Sequence, residues 1–172
     1  MLTPERIREL LDYEPDSGNL VWKETRRGIR GGRIAGFKRH DGYISVRIDS
    51  SKYYAHRLVW IHVTGTMPAG EIDHIDCNPS NNRIENLRLA TPSQNQANHL
   101  LSSRNTSGIK GVTWDAGNSK WKAQIGWKRK NIYLGLFESK DEAAAAVSKK
   151  RSELHGQYAN HGKPPAASAM SR

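Results

Sequence analysis

The chain contains no long apolar segment, and this limits what it can fold into. Its longest continuous apolar run is five residues, 143–147, whereas a membrane-spanning helix needs roughly 20. Apolar residues make up 36% of the 172 residues, and the mean hydropathy is -0.75. These values favour two small hydrophobic cores over one large core. The N-terminus shows no signal-peptide pattern, so we expect a cytoplasmic protein without a membrane partner.

The cysteine content limits which disulfides and metal sites the chain can form. Cys77 is the single cysteine of the chain. It excludes an internal disulfide and every zinc site built from several cysteines.

The charge of the chain is strongly positive and unevenly distributed. The net charge is +10, which favours a polyanionic partner such as nucleic acid; a merely soluble basic protein is the alternative. Residues 105–172 hold 12 Lys and Arg against 5 Asp and Glu, whereas residues 51–104 hold 5 against 4. Residues 23–39 contain seven basic side chains and one acid, Glu24. Residues 51–104 are nearly neutral, which suggests that their acidic groups have a role other than solvation.

The first hundred residues alternate between short helical and strand-like segments. Thr3 and Thr91, each followed by proline, are typical helix caps. Gly28 to Gly36 is predicted as a flexible basic loop, and 76–86 as a polar loop between two short strands. The predicted elements are helices at 3–11, 53–63 and 91–101, and strands at 20–22, 42–48, 71–75 and 87–90.

A different pattern begins at Gly108, after a linker-like segment at 102–107. Strand-like segments separated by turns are predicted at 112–114, 121–127 and 132–137. Ser139 is then predicted to cap an alanine-rich helix at 140–154. The last residues, rich in Pro, Ala and Ser, are predicted to be disordered.

Four residues of the middle segment suggest a chemical function. Asp73 supplies a hard oxygen ligand suited to Mg²⁺, and His74 titrates near neutrality and can take a proton from water. Asn86 could accept the second ring N–H of the histidine, and Asn95 could add an uncharged oxygen ligand. The four groups would converge if the two strands pair and the helix after Thr91 packs across them.

At these residues the sequence resembles the HNH endonucleases, especially the homing type found in phages and introns. The resemblance runs from His56-Arg57-Leu58 through Asp73-His74, Asn81-Asn82 and Asn86-Leu87-Arg88 to Asn95. It implies that His74 is the general base, that Asn86 orients its ring, and that Asp73 and Asn95 bind the metal. An Asn stands at position 95, where the family often has His. This favours an oxygen-preferring metal, Mg²⁺ or Mn²⁺, over zinc.

The resemblance also implies a reaction and a setting. The substrate would be double-stranded DNA, cut to leave 5′-phosphate and 3′-hydroxyl ends by a homing or prophage-borne nuclease or nickase. The cell would be a bacterium or a phage-infected host. No heptad pattern demands dimerisation, so a monomer or weak dimer is expected. The basic segment would grip phosphates without reading bases, through Arg26, Arg27, Arg30, Arg33 and Lys38.

Residues 106–160 resemble an AP2 domain in their Lys-Gly-Val, Trp-x-Ala-x-Ile and Leu-Gly-x-Phe landmarks. Such a domain lays a three-stranded sheet in the DNA major groove. Alternation along the strands makes the expected DNA-binding residues Lys110, Thr113, Lys120, Lys122, Gln124 and Tyr133. Thr113 and Gly126 occupy positions where plant members carry arginine, so phosphate binding is better supported than base readout.

Together these resemblances imply an α+β protein. It would combine a ββα-metal nuclease unit carrying an N-terminal β-rich extension with an AP2-type three-stranded antiparallel sheet and one helix. The expected domains are 1–104 and 105–160, with a tail at 161–172.

Several alternatives stay open at this level. Asn78, Asn81 and Asn82 could serve only to shape the loop, and His56 is better explained as a structural, hydrogen-bonded histidine than as a ligand. The C-terminal segment could be a stabilising domain with a solvated basic face. The whole chain could be a DNA-binding regulator with an inactive HNH unit; an RNA nuclease fits less well.

Overall fold

The computed structural model describes residues 2–25, 28, 30–128 and 130–162. These residues form two compact units that divide between Ala90 and Thr91. The expected tail falls largely on residues 163–172, which lie outside the described residues. Within the described part of the chain, no helix is both long and apolar enough to cross a bilayer.

The first unit contains two helices and three small antiparallel sheets. Its sheets pair β1 with β2, β3 with β4 and β5, and β6 with β7. The elements in chain order are α1 (Pro4–Leu10), β1 (Leu11–Glu14), β2 (Asn19–Trp22), β3 (Phe37–Lys38), β4 (Ile44–Ile48), β5 (Ser51–Tyr54), α2 (Ala55–Thr64), β6 (Glu71–His74), a 3-10 turn (Ile84–Asn86) and β7 (Leu87–Ala90).

One hydrophobic core joins the two helices to these sheets. Apolar side chains of α1 and α2 meet the inner faces of the strands there, and the largest fully buried ones include Ile7, Leu11, Val46, Ile48 and Leu58. Ile72 and Leu87 extend the core to β6 and β7. The hairpin formed by β6 and β7 is therefore anchored on a packed surface.

Three local predictions for this unit are wrong. Tyr53 and Tyr54 lie in β5 and not in a helix, because a tight turn at Asp49 and Ser50, both with positive φ, folds β5 back onto β4. Residues 11–14, where the sequence analysis predicted no strand, form β1 against β2. Part of the predicted basic loop is also ordered against β2: Ala35 N donates to Leu20 O, and Trp22 N donates to Arg33 O.

The second unit consists of a three-stranded antiparallel sheet and two helices. The strand order is β10, β9, β8, and α4 packs on the sheet through Ala143 and Val147 against Val112 and Ala123. Its elements are α3 (Pro92–Asn98), β8 (Val112–Asp115), β9 (Lys120–Trp127), β10 (Lys130–Phe137), α4 (Lys140–His155) and a 3-10 turn (Gly156–Tyr158).

Helix α3 is held by the rest of the second unit. Lys110 Nζ donates to the carbonyl oxygens of Ala97 at 3.0 Å and His99 at 2.6 Å. Asn160 Nδ2 donates to Asn98 Oδ1 at 3.3 Å. These bonds satisfy the carbonyl end of the helix, and they explain why the compact units divide before α3 and not at residue 104, where the sequence analysis places the boundary.

Candidate active site

The hairpin of β6 and β7 positions the first two candidate residues. The register places Asp73 opposite Arg88 and His74 opposite Leu87. The predicted order of strand, polar loop and strand over residues 71–90 is thereby confirmed. Asp73 and His74 are both buried, at 4% and 5% exposure, so neither is an ordinary solvated surface group.

Asp73 is held by an arginine on the neighbouring strand. Arg88 Nε lies 2.8 Å and Arg88 Nη2 lies 2.7 Å from the same carboxylate oxygen, Oδ2. A planar guanidinium that donates twice fixes the orientation of the carboxylate. The sequence analysis quoted Arg88 within the motif but gave it no role; the pairing register is the signal that could have revealed it.

The ring of His74 is held by a neighbouring amide. His74 Nε2 lies 3.1 Å from Asn82 Oδ1 in a buried environment. An amide oxygen accepts and never donates, so Nε2 carries the proton and the neutral ring has its lone pair on Nδ1. Burial lowers the pKa of His74, and the contact with Asn82 and the charges of Asp76 and Asp73 oppose that shift in part. His74 is therefore neutral at pH 7, the form that a general base requires.

Asn86 is fully buried, and its side chain binds the loop that follows His74. Its Oδ1 accepts from Asp76 N at 3.0 Å. Its Nδ2 donates to Asp76 Oδ1 at 2.9 Å and to Asn81 O at 2.8 Å. The sequence analysis expected Asn86 to accept a hydrogen bond from the His74 ring. The acceptor described for His74 Nε2 is instead Asn82 Oδ1. Asn86, the last residue of the 3-10 turn, therefore faces Asp76 and fixes the loop that follows His74.

The other asparagines of this loop shape its backbone. Asn78 Oδ1 accepts from Ser80 N at 3.1 Å. Asn81 Oδ1 accepts from Arg83 N at 3.4 Å, and its Nδ2 donates to Asp76 Oδ2 at 2.7 Å. The turn-forming interpretation thus holds for Asn78 and Asn81 and fails for Asn82.

Aromatic rings also pack close to the imidazole of His74. The centroid of the His56 ring lies 5.1 Å from that of His74 at an interplanar angle of 82°, and Tyr43 lies 5.8 Å away at 64°. Tyr54 stacks on His56 at 5.4 Å and 16°. Burial lowers the pKa of His56 to about 3, with smaller effects from His74 and Arg57. Sequence reasoning assigned no role to Tyr43 or Tyr54.

His56 is structural in its packing, but its Nδ1 lacks the expected hydrogen bond. The residue is 7% exposed, and its Nδ1 is buried with no hydrogen-bond partner among the described residues. It is neutral and lies edge-on to the ring of His74. It therefore adds no positive charge beside the candidate base.

The fourth candidate, Asn95, lies in the second unit. It is half-buried in the middle of α3. Thr91 caps this helix with a capping box: its side chain accepts from Gln94 N, and the Gln94 side chain accepts from Thr91 N. The predicted N-terminus of the helix is thus confirmed.

The predicted DNA-binding residues differ in how available they are. Arg26 and Arg27 lie outside the described residues, whereas Arg30, Arg33 and Lys38 are exposed. In the second unit Thr113 and Tyr133 are exposed, and Lys122 and Gln124, their respective neighbours in the sheet register, are half-buried. Lys120 is paired with Glu138 at 2.8 Å. Lys110 is committed to the carbonyl end of α3, which argues against a contact with phosphate.

Comparison with known proteins decides the family. The model of the HNH endonuclease family matches residues 53–97, which include all four candidate residues. The chain is 40% identical over 107 residues to a protein named "Protein 3.8" of Escherichia phage T7. These 107 residues are 60% of this chain and 86% of that relative. The chain belongs to the HNH endonuclease family.

A second viral relative supports this assignment. An uncharacterized HNH endonuclease of Acanthamoeba polyphaga mimivirus is 31% identical over 116 residues, which is 66% of this chain and 59% of that relative. No solved structure gives a significant match. The HNH family match ends at residue 97, so the AP2 resemblance of residues 106–160 stays a prediction. Membership of the HNH family implies nuclease activity on DNA.

Proposed function

We propose that this HNH protein is a divalent-metal-dependent endonuclease of the homing or prophage-borne type. It would cut one strand of double-stranded DNA per active site and leave 5′-phosphate and 3′-hydroxyl ends. The observation that carries the proposal is the state of His74, a buried neutral imidazole whose Nε2 proton is held by Asn82. This arrangement leaves Nδ1 as the basic nitrogen.

His74 Nδ1 takes the proton from a water molecule that attacks the phosphorus. The Asn82 amide keeps the ring in the productive tautomer throughout. Asn86 fixes the loop immediately after the base through its three hydrogen bonds to Asp76 and Asn81. The rings of His56 and Tyr43 limit the rotation of the imidazole.

The donor set fits a hard divalent cation. Asp73 and Asn95 would hold Mg²⁺ or Mn²⁺ with oxygen ligands, in keeping with the preference of Mg²⁺ for few protein ligands and several waters. Among the described residues no group of three or more His, Cys, Asp or Glu is placed to hold a metal ion. Arg88 orients Asp73, as neighbouring donors commonly orient metal-binding carboxylates. A bound cation supplies Lewis-acid stabilisation of charge on the phosphate oxygens and the leaving oxygen.

Basic and polar residues of each unit would bind DNA. Arg30, Arg33 and Lys38 would contact phosphates from the first unit. Thr113, Lys122, Gln124 and Tyr133 would contact DNA from the sheet of the second unit, which we propose to be an AP2-type module. The protein would act as a monomer or weak dimer in the cytoplasm of a bacterial or phage-infected cell.

Nicking of a supercoiled plasmid tests the proposal. Wild-type protein with Mg²⁺ should convert it to the open circle, and EDTA should stop the reaction. His74→Ala should lose about 10²- to 10⁴-fold in rate while still binding DNA. His40→Ala, a change of an exposed histidine in the same unit, is the matched control. Binding without metal-dependent nicking by the wild type would instead favour a DNA-binding regulator.

A further inference from the structure

The sheet formed by β3, β4 and β5 presents an outward face that the proposed function does not use. Directly paired residues share a face of a sheet, and Ser45 pairs with both Phe37 and Tyr54. Arg47, two residues after Ser45, pairs with Lys52. The opposite face carries Ile44, Val46 and Ile48, which pack in or against the core. The outward face therefore presents Phe37, Arg47, Lys52 and Tyr54, and Ser45 lies between the two aromatic residues at 3% exposure.

This face combines exposed aromatic rings with positive charge. Phe37 is 55% and Tyr54 is 38% exposed, and Arg47 and Lys52 are exposed. The three strands, all fully described, contain no Asp or Glu. The nearby acids are paired with arginines: Asp49 with Arg6 at 3.3 Å and Asp41 with Arg39 at 3.1 Å.

The face leads directly to the candidate base. Tyr54 ends β5, and its ring stacks on His56, whose edge meets His74. The Arg39 guanidinium lies 5.5 Å from the centroid of the Tyr54 ring. A base that replaced the Arg39 guanidinium over the Tyr54 ring would therefore lie beside the groups that act on the scissile phosphate.

We propose that this outward face binds unstacked DNA bases next to the cleavage position. The enzyme would thus act preferentially on DNA that is single-stranded or locally opened at the cut, a substrate class that rests on the proposed nuclease function. Aromatic rings on a basic surface are the usual platform for unpaired bases, since every base has a face that can stack. A closed duplex offers no such faces except at its ends.

The spacing of the rings favours an extended strand. Phe37 and Tyr54 lie two strand spacings apart, about 10 Å. Neighbouring stacked bases in a duplex strand are about 3.4 Å apart. The two rings are therefore too far apart to hold adjacent bases that remain stacked on each other, but they suit bases of a strand that has been pulled open.

Binding measured in EDTA tests this inference without cleavage. The probes are fluorescein-labelled (dT)₁₂, a fully paired duplex, and the same duplex with a central three-nucleotide bubble. The wild-type protein should bind the bubble more tightly than the paired duplex. Phe37→Ser should weaken binding of (dT)₁₂ and of the bubble by about 5- to 150-fold, the usual effect of losing one stacking ring, and should affect the paired duplex less.

Two further variants separate stacking from charge and from surface hydrophobicity. Replacing Arg47 and Lys52 together with Gln should reduce the slope of log affinity against log salt by about 0.7 for each lost contact with single-stranded DNA. Met67→Ser removes a side chain that is 52% exposed in the same unit but off this sheet, and it should leave binding of all three probes unchanged.

Equal wild-type affinity for bubble and duplex, or unchanged (dT)₁₂ binding by Phe37→Ser, would overturn the inference. Equal losses with Met67→Ser would also overturn it. The assay contains no metal, so a protein that binds as expected but never nicks DNA refutes the nuclease proposal and leaves the binding face supported.

Discussion

His56→Phe should make the protein less sensitive to acid. The pKa of His56 is lowered to about 3 in the folded protein, mainly by burial, whereas a histidine in the unfolded chain titrates near 6.5. Below pH 6.5 the unfolded state therefore binds a proton that the folded state does not. The stability linked to His56 is complete above pH 6.5 and is lost progressively as the pH falls towards about 3.

The magnitude follows from these two values. At pH 5 the unfolded state gains about 2 kcal/mol from protonation of this one residue. That figure is insensitive to the exact folded pKa, provided it lies well below 5. Phenylalanine keeps a planar ring against His74 and Tyr54 but binds no proton. The loss of unfolding free energy between pH 8 and pH 5 should therefore be about 2 kcal/mol smaller in the variant.

Urea unfolding followed by circular dichroism at pH 8, 7, 6 and 5 measures this difference. Packing changes caused by the larger ring alter the free energy of unfolding equally at every pH. They therefore cancel when pH 5 is compared with pH 8. The pKa values of His74, which is buried, and of His62, which is half-buried, are also lowered, but both residues are present in wild type and variant. Parallel curves for wild type and variant would refute the reasoning, because His56 would then titrate alike in the folded and unfolded states.

Three other substitutions test the roles of the side chains around the base. Asn86→Ala should lower the free energy of unfolding by about 3–4 kcal/mol, since it removes three buried hydrogen bonds, one of them to a carboxylate; urea unfolding measures this. Asn82→Ala should destabilise by only about 1 kcal/mol but reduce kcat about 10- to 100-fold, because His74 loses the partner that fixes its tautomer; single-turnover nicking measures this. Arg88→Met should cost about 3–5 kcal/mol in EDTA, since it breaks the buried ion pair with Asp73.

The sequence predicted the hairpin that carries the candidate site better than the contacts within that site. Asp73 and His74 are adjacent in the chain, and the polar loop between two apolar segments correctly indicated a hairpin. The choice between Asn82 and Asn86 was not predictable in the same way. The loop offers several amides, and the one that reaches the ring depends on the loop backbone, including the positive φ of Cys77.

Pairing with β2 accounts for most of what the sequence did not reveal. Residues 11–14 pair with β2 in a hairpin, and residues 32–35, inside the glycine-containing basic segment, also form backbone hydrogen bonds with it. The local composition of these two segments does not show that β2 is their partner. Tyr54 was assigned to a helix because the following residues are apolar. That assignment hid the outward face of the sheet, where Tyr54 and Phe37 flank Ser45.

Helix α3 shows why the motif and the folding unit need not coincide. The HNH family match continues through this helix to residue 97, so the motif includes Asn95. The helix itself has only seven residues, too few to be stable alone in water, and its carbonyl end is satisfied by Lys110 of the second unit. Asn95 therefore depends on the folding of residues that lie beyond the motif. This dependence gives residues 105–162 a structural role in an HNH enzyme whether or not their sheet also binds DNA.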